Sequence, residues 1–337
     1  MSTIEIVAEL AQGFEGDVVQ AALLVKAAAA AGADAAKFQM VYADELAAPD
    51  YQHYRLFSSL ELDDHAWDQL MQLATRKGVA LQADVFGPRS LALAERLGIQ
   101  TIKLHPTDVA NRGLLTAVAA SAIPRVLLGA GGTHLAELTT ALELLAKKAV
   151  VVLLGFQGYP TATEDNQIAR VSYLREWLHR HHPQVAVGFA DHAAPESPLR
   201  YALAAVAVGA GASVIEKHLT LGRNMQLEDH ESALNPDEFG EFVATIRACH
   251  AAMGMVAATD DLGMSAAEDT YRRTIRRHVV ATRHLAAGTR LSPDDVGLKR
   301  TGASHPLTDL DAVYGRELVR AVAANGALTE HDFTREQ

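Results

Sequence analysis

Val214-Ile215-Glu216-Lys217-His218 is an apolar run that ends abruptly in a carboxylate, an ammonium and an imidazole. Such a run reads as a buried strand whose last residues emerge into a polar site. Val187-Gly188-Phe189-Ala190-Asp191-His192 ends in the same way. Two neutral imidazoles, His192 and His218, suit manganese or another first-row divalent ion, with magnesium and cobalt as further choices. Glu216 lies two residues before His218 and shares its face of the strand. It is placed to bind a metal, to act through water or to orient a ligand. Glu9, Lys37, Gln39, Asp84, Lys103 and His105 end other short apolar runs. Lys37 and Lys103 are cations suited to a phosphate or a carboxylate. One strand-end histidine is usually a polar cap, but several ionisable groups converging on one rim make a site.

Other eye-catching stretches carry less. His179-Arg180-His181-His182 closes a helical pattern, where cations favour the helix dipole. Gly129-Ala130-Gly131-Gly132 reads equally as a phosphate cradle at a helix start or as a tight turn.

The elements that must position these residues alternate regularly. Strand candidates are Ile4–Leu10, Ala35–Gln39, Ala80–Asp84, Thr101–Leu104, Arg125–Gly129, Val150–Leu154, Val185–Ala190 and Val214–His218. Helical patterns cover Val18–Ala31, Asp63–Lys77, Pro88–Leu97, Asn111–Ala120, His134–Ala146, Ile168–Arg180, Glu196–Val208 and Pro236–Met253. Continuous Val/Ile/Leu runs are what parallel strands covered on both faces require. Eight βα units in about 250 residues predict a closed (β/α)8 barrel, whose chemistry gathers at the carboxyl ends of the strands. An open doubly wound sheet is the rival, and it offers no reason to stop at eight. Leu62-Asp63-Asp64 and Asn235-Pro236-Asp237-Glu238 supply helix starts, and Lys77-Gly78 and Met253-Gly254 supply stops.

The division expected is a catalytic barrel over 1–254, a polar linker over 255–277 and a small β-rich domain over 278–337. The last is too small to be an enzyme alone and reads as a lid or binding module.

The chain has 337 residues, 49% hydrophobic and 21% charged, which is globular in composition. A net charge of −11 speaks against nucleic acid or an anionic membrane as the main partner. A single cysteine, Cys249, excludes an intrachain disulfide framework and reads as a buried structural thiol. Met1-Ser2-Thr3-Ile4-Glu5 is not a secretory leader, and no apolar stretch reaches the roughly 20 residues that span a bilayer. A cytoplasmic protein is expected.

Nearly the whole chain resembles the sialic acid synthases, which make nonulosonic acids. The matching stretches are Ile6-Val7-Ala8-Glu9, Gly32-Ala33-Asp34-Ala35-Ala36-Lys37-Phe38-Gln39, Tyr159-Pro160-Thr161 with Glu164-Asp165, and Asp191-His192. The most specific runs from Val214 through Leu221, then Asn224-Met225, Asp229-His230 and Leu234 to Phe239. The tail is similar to the antifreeze-like (SAF) domain that follows the barrel in that family, including Lys299-Arg300. The resemblance implies condensation of phosphoenolpyruvate with an N-acylated amino sugar, or a related aldose, in its open aldehyde form. It implies a metal on His192 and His218, substrate contacts from Lys37, Lys103, Tyr159 and Asp229, and orienting or proton-transfer roles for Glu9, Gln39, Asp191 and Glu216. It also implies a swapped homodimer in which Arg300 reaches the partner's barrel.

The chain departs from the family mainly where phosphate binds. Gly13-Phe14-Glu15-Gly16, Pro106-Thr107-Asp108, Gly129-Ala130-Gly131-Gly132 and Gly155-Phe156-Gln157-Gly158 replace family motifs, and Ala190 replaces a serine. Asp84-Val85-Phe86 stands where relatives carry Thr-Pro-Phe, which puts a carboxylate near the phosphate pocket. Each lost charge-assisted bond is worth about 1.5–3 kcal/mol. Thr107, His105 and the amides of the glycine turn are the available replacements. Two alternatives follow: a metal-dependent aldolase or other carbon–carbon lyase with a different donor, and a sugar-binding homologue without turnover.

Overall fold

The structure, a computed structural model, describes residues 4–156, 158–254 and 262–334. These fall into two compact units, one ending at Gly254 and one comprising the rest.

In the first unit eight parallel strands close into a barrel in chain order. They are β1 (Glu5–Ala11), β2 (Ala35–Gln39), β3 (Ala80–Asp84), β4 (Thr101–Leu104), β5 (Arg125–Gly129), β6 (Ala149–Leu154), β7 (Ala186–Asp191) and β8 (Val214–His218). Closure is made by β1 against β8, with Glu9 opposite His218. Side chains alternate between two destinations, as the strand repeat requires. Val7, Ala35, Leu127, Val151, Leu153 and Val214 form an apolar layer of their own inside the barrel. Ile6, Ala36, Phe38, Ile102, Leu128, Phe189 and Ile215 join the larger core between strands and helices. Below the inner layer, Arg125 meets Glu5 at 2.5 Å, and Gln82 donates to the same carboxylate at 3.0 Å.

The helix ends follow local chemistry. Asp17 accepts from the Val19 amide at 2.7 Å, and Asp63 accepts from Ala66 at 2.7 Å. Asn235 and Glu238 form a reciprocal cap, with the Asn235 amide 2.9 Å from Glu238 Oε2. Most helices match the sequence pattern within two residues. The helix expected over Glu196–Val208 instead occupies Ala202–Ala210, because 196–201 turn across the rim first. Two short helices, Ala43–Leu46 and Tyr54–Ser59, stand between β2 and the helix Asp64–Lys77. Cys249 is only half-buried, which corrects its expected burial.

The glycine turn after β5 has a packing explanation. A Cβ on Gly131 would lie 2.3 Å from the Gly155 carbonyl oxygen, and one on Gly129 would lie 2.6 Å from Pro106. Those glycines let neighbouring loops approach each other.

The second unit has an antiparallel pair, β9 (His278–Ala281) and β10 (Val296–Lys299). Its core is Val279, Ala281, Leu285, Leu291, Val313, Leu318, Leu328 and Phe333. The described part of 255–277 is not a plain linker: Ala266–Ile275 is a helix. Ser265 caps it, Glu268 and Asp269 occupy its first turn and Arg272 and Arg273 its last, so charge placement holds a helix that buries none of its residues. No helix among the described residues is long and apolar enough to cross a membrane.

Candidate active site at the barrel mouth

Strand parity decides which residues reach the interior. On β8, Glu216 and His218 face inward and Lys217 faces the helices. Inward positions at the carboxyl ends of β1–β4 deliver Glu9, Lys37, Asp84 and Lys103. All of these are buried. They form one mixed-charge cluster. Lys37 Nζ donates to Glu9 Oε2 and to Asp84 Oδ1, the latter at 2.5 Å, and lies 3.6 Å from Glu216 Oε2. Lys103 Nζ is 2.5 Å from Glu216 Oε1, 3.6 Å from Glu9 Oε2 and 3.8 Å from Asp84 Oδ2.

Two ammonium groups face three carboxylates, an excess of one negative charge. Burial pushes the Glu9 carboxyl up to about 8, with Glu216 and Asp84 adding to the push and Lys37 and Lys103 opposing it. One retained proton therefore neutralises the cluster near pH 7. Burial also works against an ionised Glu216, but Lys103 and Lys37 overcome it and hold that group well below the usual carboxylate range. The lysines are likewise held above their usual value: burial opposes their charge, and the three carboxylates outweigh it. Asp84 Oδ2 and Glu216 Oε2 are buried without a hydrogen-bond partner.

The two histidines stand together at the mouth, with ring centroids 5.3 Å apart. Tyr159 sets its ring edge-on to both, at 5.3 Å from His192 and 5.7 Å from His218. Burial, then Lys103, lowers His192 to about 4. Burial, then His192 itself, lowers His218 further below the usual imidazole value. Both rings are therefore uncharged at neutral pH, and His192 Nδ1 is buried with no partner. Uncharged imidazoles with a free nitrogen fit a divalent cation. The described residues contain no group of three or more His, Cys, Asp or Glu able to hold one.

Asp229 Oδ2 is 3.9 Å from His218 Nδ1, too far for a hydrogen bond. Burial, then Glu228 and Glu231, pushes the Asp229 carboxyl up to about 7. Gln39 accepts from Gln12 Nε2 at 2.6 Å.

Asp191 departs from its expected place among the reacting groups. Its parity turns it outward, where Lys217 Nζ lies 3.3 Å from Oδ1. The same oxygen accepts from the Ala193 amide at 2.7 Å, and Lys217 donates to the Ala193 carbonyl at 2.8 Å. The pair thus pins the backbone just past His192. The His192 carbonyl is fixed in turn by the Thr161 amide at 2.9 Å and Ser232 Oγ at 3.0 Å. Sequence reasoning left out Lys217, Thr161 and Ser232. Lys217 was findable, because strand alternation opposes it to Glu216 and a buried ammonium needs a carboxylate. Arg300 belongs to the second unit, where Nε donates to the Ile275 carbonyl at 3.1 Å.

Known proteins are similar to this chain in sequence and in fold. A protein of Methanocaldococcus jannaschii whose function is uncharacterised is 28% identical over 93% of this chain and 89% of its own length. The N,N'-diacetyllegionaminic acid synthase of Legionella pneumophila is 26% identical over 97% of this chain and 93% of its own. The crystal structure of a protein named as a spore coat polysaccharide biosynthesis protein E, from Chromobacterium violaceum, superposes with a TM-score of 0.80, covering 98% of this chain and all of that one at 23% identity. The pattern of the SAF domain matches residues 276–334. The NeuB family pattern matches residues 24–258. Spanning β2 to β8, both histidines and every member of the charged cluster except Glu9, that match places the chain in the NeuB family, that of the sialic acid synthases.

Proposed function

We propose that this protein condenses phosphoenolpyruvate with the open-chain aldehyde of an N-acylated amino sugar, or a related aldose, in the cytoplasm. The product is a nonulosonic-type 2-keto-3-deoxy acid, and phosphate is released. One juxtaposition carries the reading: two lysines, a carboxyl that keeps its proton near pH 7 and two uncharged imidazoles face one mouth in a NeuB-family barrel. An N-acyl acceptor is drawn from the legionaminic acid synthase among the relatives.

In this reading C3 of the donor forms a bond to the aldehyde carbon. The aldehyde oxygen takes up a proton and becomes a hydroxyl. Water adds at C2 and gives up one proton; the C2–O bond to the phosphate then breaks, and the proton of the new C2 hydroxyl leaves with the phosphate as the ketone forms. Lys37 and Lys103 hold the donor's anionic groups. Glu9, protonated up to about 8, supplies the proton to the carbonyl oxygen. Glu216 stays ionised and holds Lys103 in place, and the Glu9 carboxylate left by that transfer receives the proton from water. Gln39, Tyr159 and Asp229 orient the acceptor, and Asp191 acts through Lys217 and the His192 backbone. His192 and His218 would hold a divalent cation, Mn2+ first and Mg2+ or Co2+ as alternatives. When bound it supplies Lewis-acid polarisation of the carbonyl.

The proposal includes a swapped homodimer in which Arg300 serves the partner's site. Sedimentation of a monomer alone at assay concentration removes that part. The reaction is tested by phosphate release from phosphoenolpyruvate with a panel of N-acyl amino sugars and aldoses, metal supplied. Release that requires both sugar and metal is expected, and no release across the panel refutes the reading. The Asp84 carboxylate on both lysines favours a second reading, an aldolase with a less charged donor. Phosphoenolpyruvate bound on Lys37 and Lys103 in a soaked crystal rules that out.

A further inference from the structure

Every carboxylate of the cluster lies within 3.8 Å of both lysines, so both ammonium charges are already shared with resident carboxylates. A phosphorylated enol acid brings a phosphate and a carboxylate to a place where, with Glu9 protonated, the two ammonium charges are already balanced by Asp84 and Glu216. One resident carboxylate has to give way. Glu9 is tied to the backbone, with Oε1 accepting from the Ala11 amide at 2.8 Å. Glu216 makes the 2.5 Å contact to Lys103 and sits two residues from His218. The hydrogen bonding of Asp84, among the described residues, is the single bond from Lys37, and its second oxygen is buried with none. Asp84 is thus held by fewer bonds than Glu9 and by no more than Glu216, and it lies against the lysines on its own strand neighbours, β2 and β4.

We propose that Asp84 is a specificity-determining residue: a built-in carboxylate that competes with the donor's anionic groups for Lys37 and Lys103 and must leave both before a phosphorylated donor binds. The inference rests on the reading that these lysines take the donor. Its consequence is weak binding of phosphate-bearing ligands, relieved when residue 84 carries no charge. Removing the charge also removes part of what keeps Glu9 protonated, and once Glu9 ionises two lysines face two glutamates, so the fold has no electrostatic reason to fail.

The test is calorimetric titration of inorganic phosphate, and then of phosphoenolpyruvate, into the unchanged protein and Asp84→Asn at one fixed metal concentration. The variant is expected to bind phosphate about ten- to a hundredfold more tightly. Equal or weaker binding by folded Asp84→Asn overturns the proposal. Asp84→Thr, which removes the charge and keeps a hydroxyl, serves if the asparagine variant does not fold. If neither folds, a phosphate-soaked crystal of the unchanged protein decides. An anion on Lys37 with Asp84 turned away supports the proposal. An anion there with the Lys37–Asp84 bond intact, or none there at saturation, overturns it. Tighter phosphate binding without turnover on any sugar sinks the proposed reaction and leaves the competition standing. Turnover by the unchanged protein with unaltered phosphate affinity in the variant does the reverse.

Discussion

The barrel mouth and the SAF domain both bury carboxylates, and they surround them differently. In the SAF domain Asp295 accepts from the Ser292 amide at 3.0 Å, from Ser292 Oγ at 2.6 Å and from Arg283 at 2.5 Å. Asp332 repeats this with the Thr329 amide at 2.7 Å, Thr329 Oγ1 at 2.9 Å and Arg320 at 2.5 Å. In both cases the arginine precedes the aspartate by 12 residues and the hydroxyl precedes it by 3. Both oxygens of each aspartate are engaged, and local backbone supplies part of the bonding. At the barrel mouth the partners are lysines from other strands, one backbone amide is used, and two oxygens are left without a hydrogen bond. Carboxylates met by their own turn hold that turn. Carboxylates met chiefly by side-chain ammonium groups are in a position to exchange partners, as a reaction cycle demands.

The comparison breaks most visibly if Lys37 is removed. Lys37→Ala leaves Glu9 and Asp84 without their nearest cation in a fully buried place. Breaking a buried ion pair from one side costs about 3–5 kcal/mol. Denaturant unfolding should show a loss of that size in the barrel, with turnover abolished. A loss of turnover without destabilisation would mean that the cluster relaxes into water, and the mouth would then be less sealed than its burial indicates.

The SAF aspartates sharpen the contrast through pH. The hydroxyl and amide of Ser292, and then Arg283, hold Asp295 below the usual range against the cost of burial. A carboxylate with a depressed folded value stabilises above its unfolded pKa of about 4, and that stability is lost as pH falls through the folded value. Glu9 has the opposite sign. Between its ordinary 4.5 and about 8 it keeps a proton that the unfolded chain has released, so its contribution declines as pH rises across that window. Hydrogen exchange resolved by domain should therefore show protection falling on the acid side in the SAF domain and on the alkaline side in the barrel. Asp295→Ala, which orphans the Ser292 donors, should cost the SAF domain about 1–3 kcal/mol and remove its share of the acid limb. The same slope in both domains would contradict the distinction.

Much of this was legible before any coordinates. The eight strands announced themselves because parallel strands covered on both faces are apolar throughout, and their last residues break that pattern abruptly. Parity was the neglected signal. Applied to β7 and β8 it sends Asp191 and Lys217 outward together and keeps His192, Glu216 and His218 inward. The reach of Tyr159 to both imidazoles was not legible, since it comes from a loop whose path no periodicity describes. The helices Ala43–Leu46 and Tyr54–Ser59 were missed because four and six residues are too few to show a 3.6-residue repeat. The carboxylate at position 84 was visible, but its contact with both lysines depends on three strands meeting at one height.

The smallest effect tests the local half of the comparison. Among the described residues Arg283 is the one partner of the Asp295 carboxylate outside the Ser292 turn, and its side chain is 65% exposed. If the turn's own amide and hydroxyl are what hold Asp295, removing the arginine leaves both of those bonds intact. An exposed cation also gains little from its pair, because water screens the charge and the long side chain loses freedom when fixed. Arg283→Ala should therefore change SAF stability by about 1 kcal/mol or less, well below the effect of Asp295→Ala, and the difference should shrink further with added salt. Equal losses from the two substitutions would show that the arginine, and not the turn, carries the buried carboxylate. The SAF aspartates would then depend on a side-chain cation as the barrel carboxylates do.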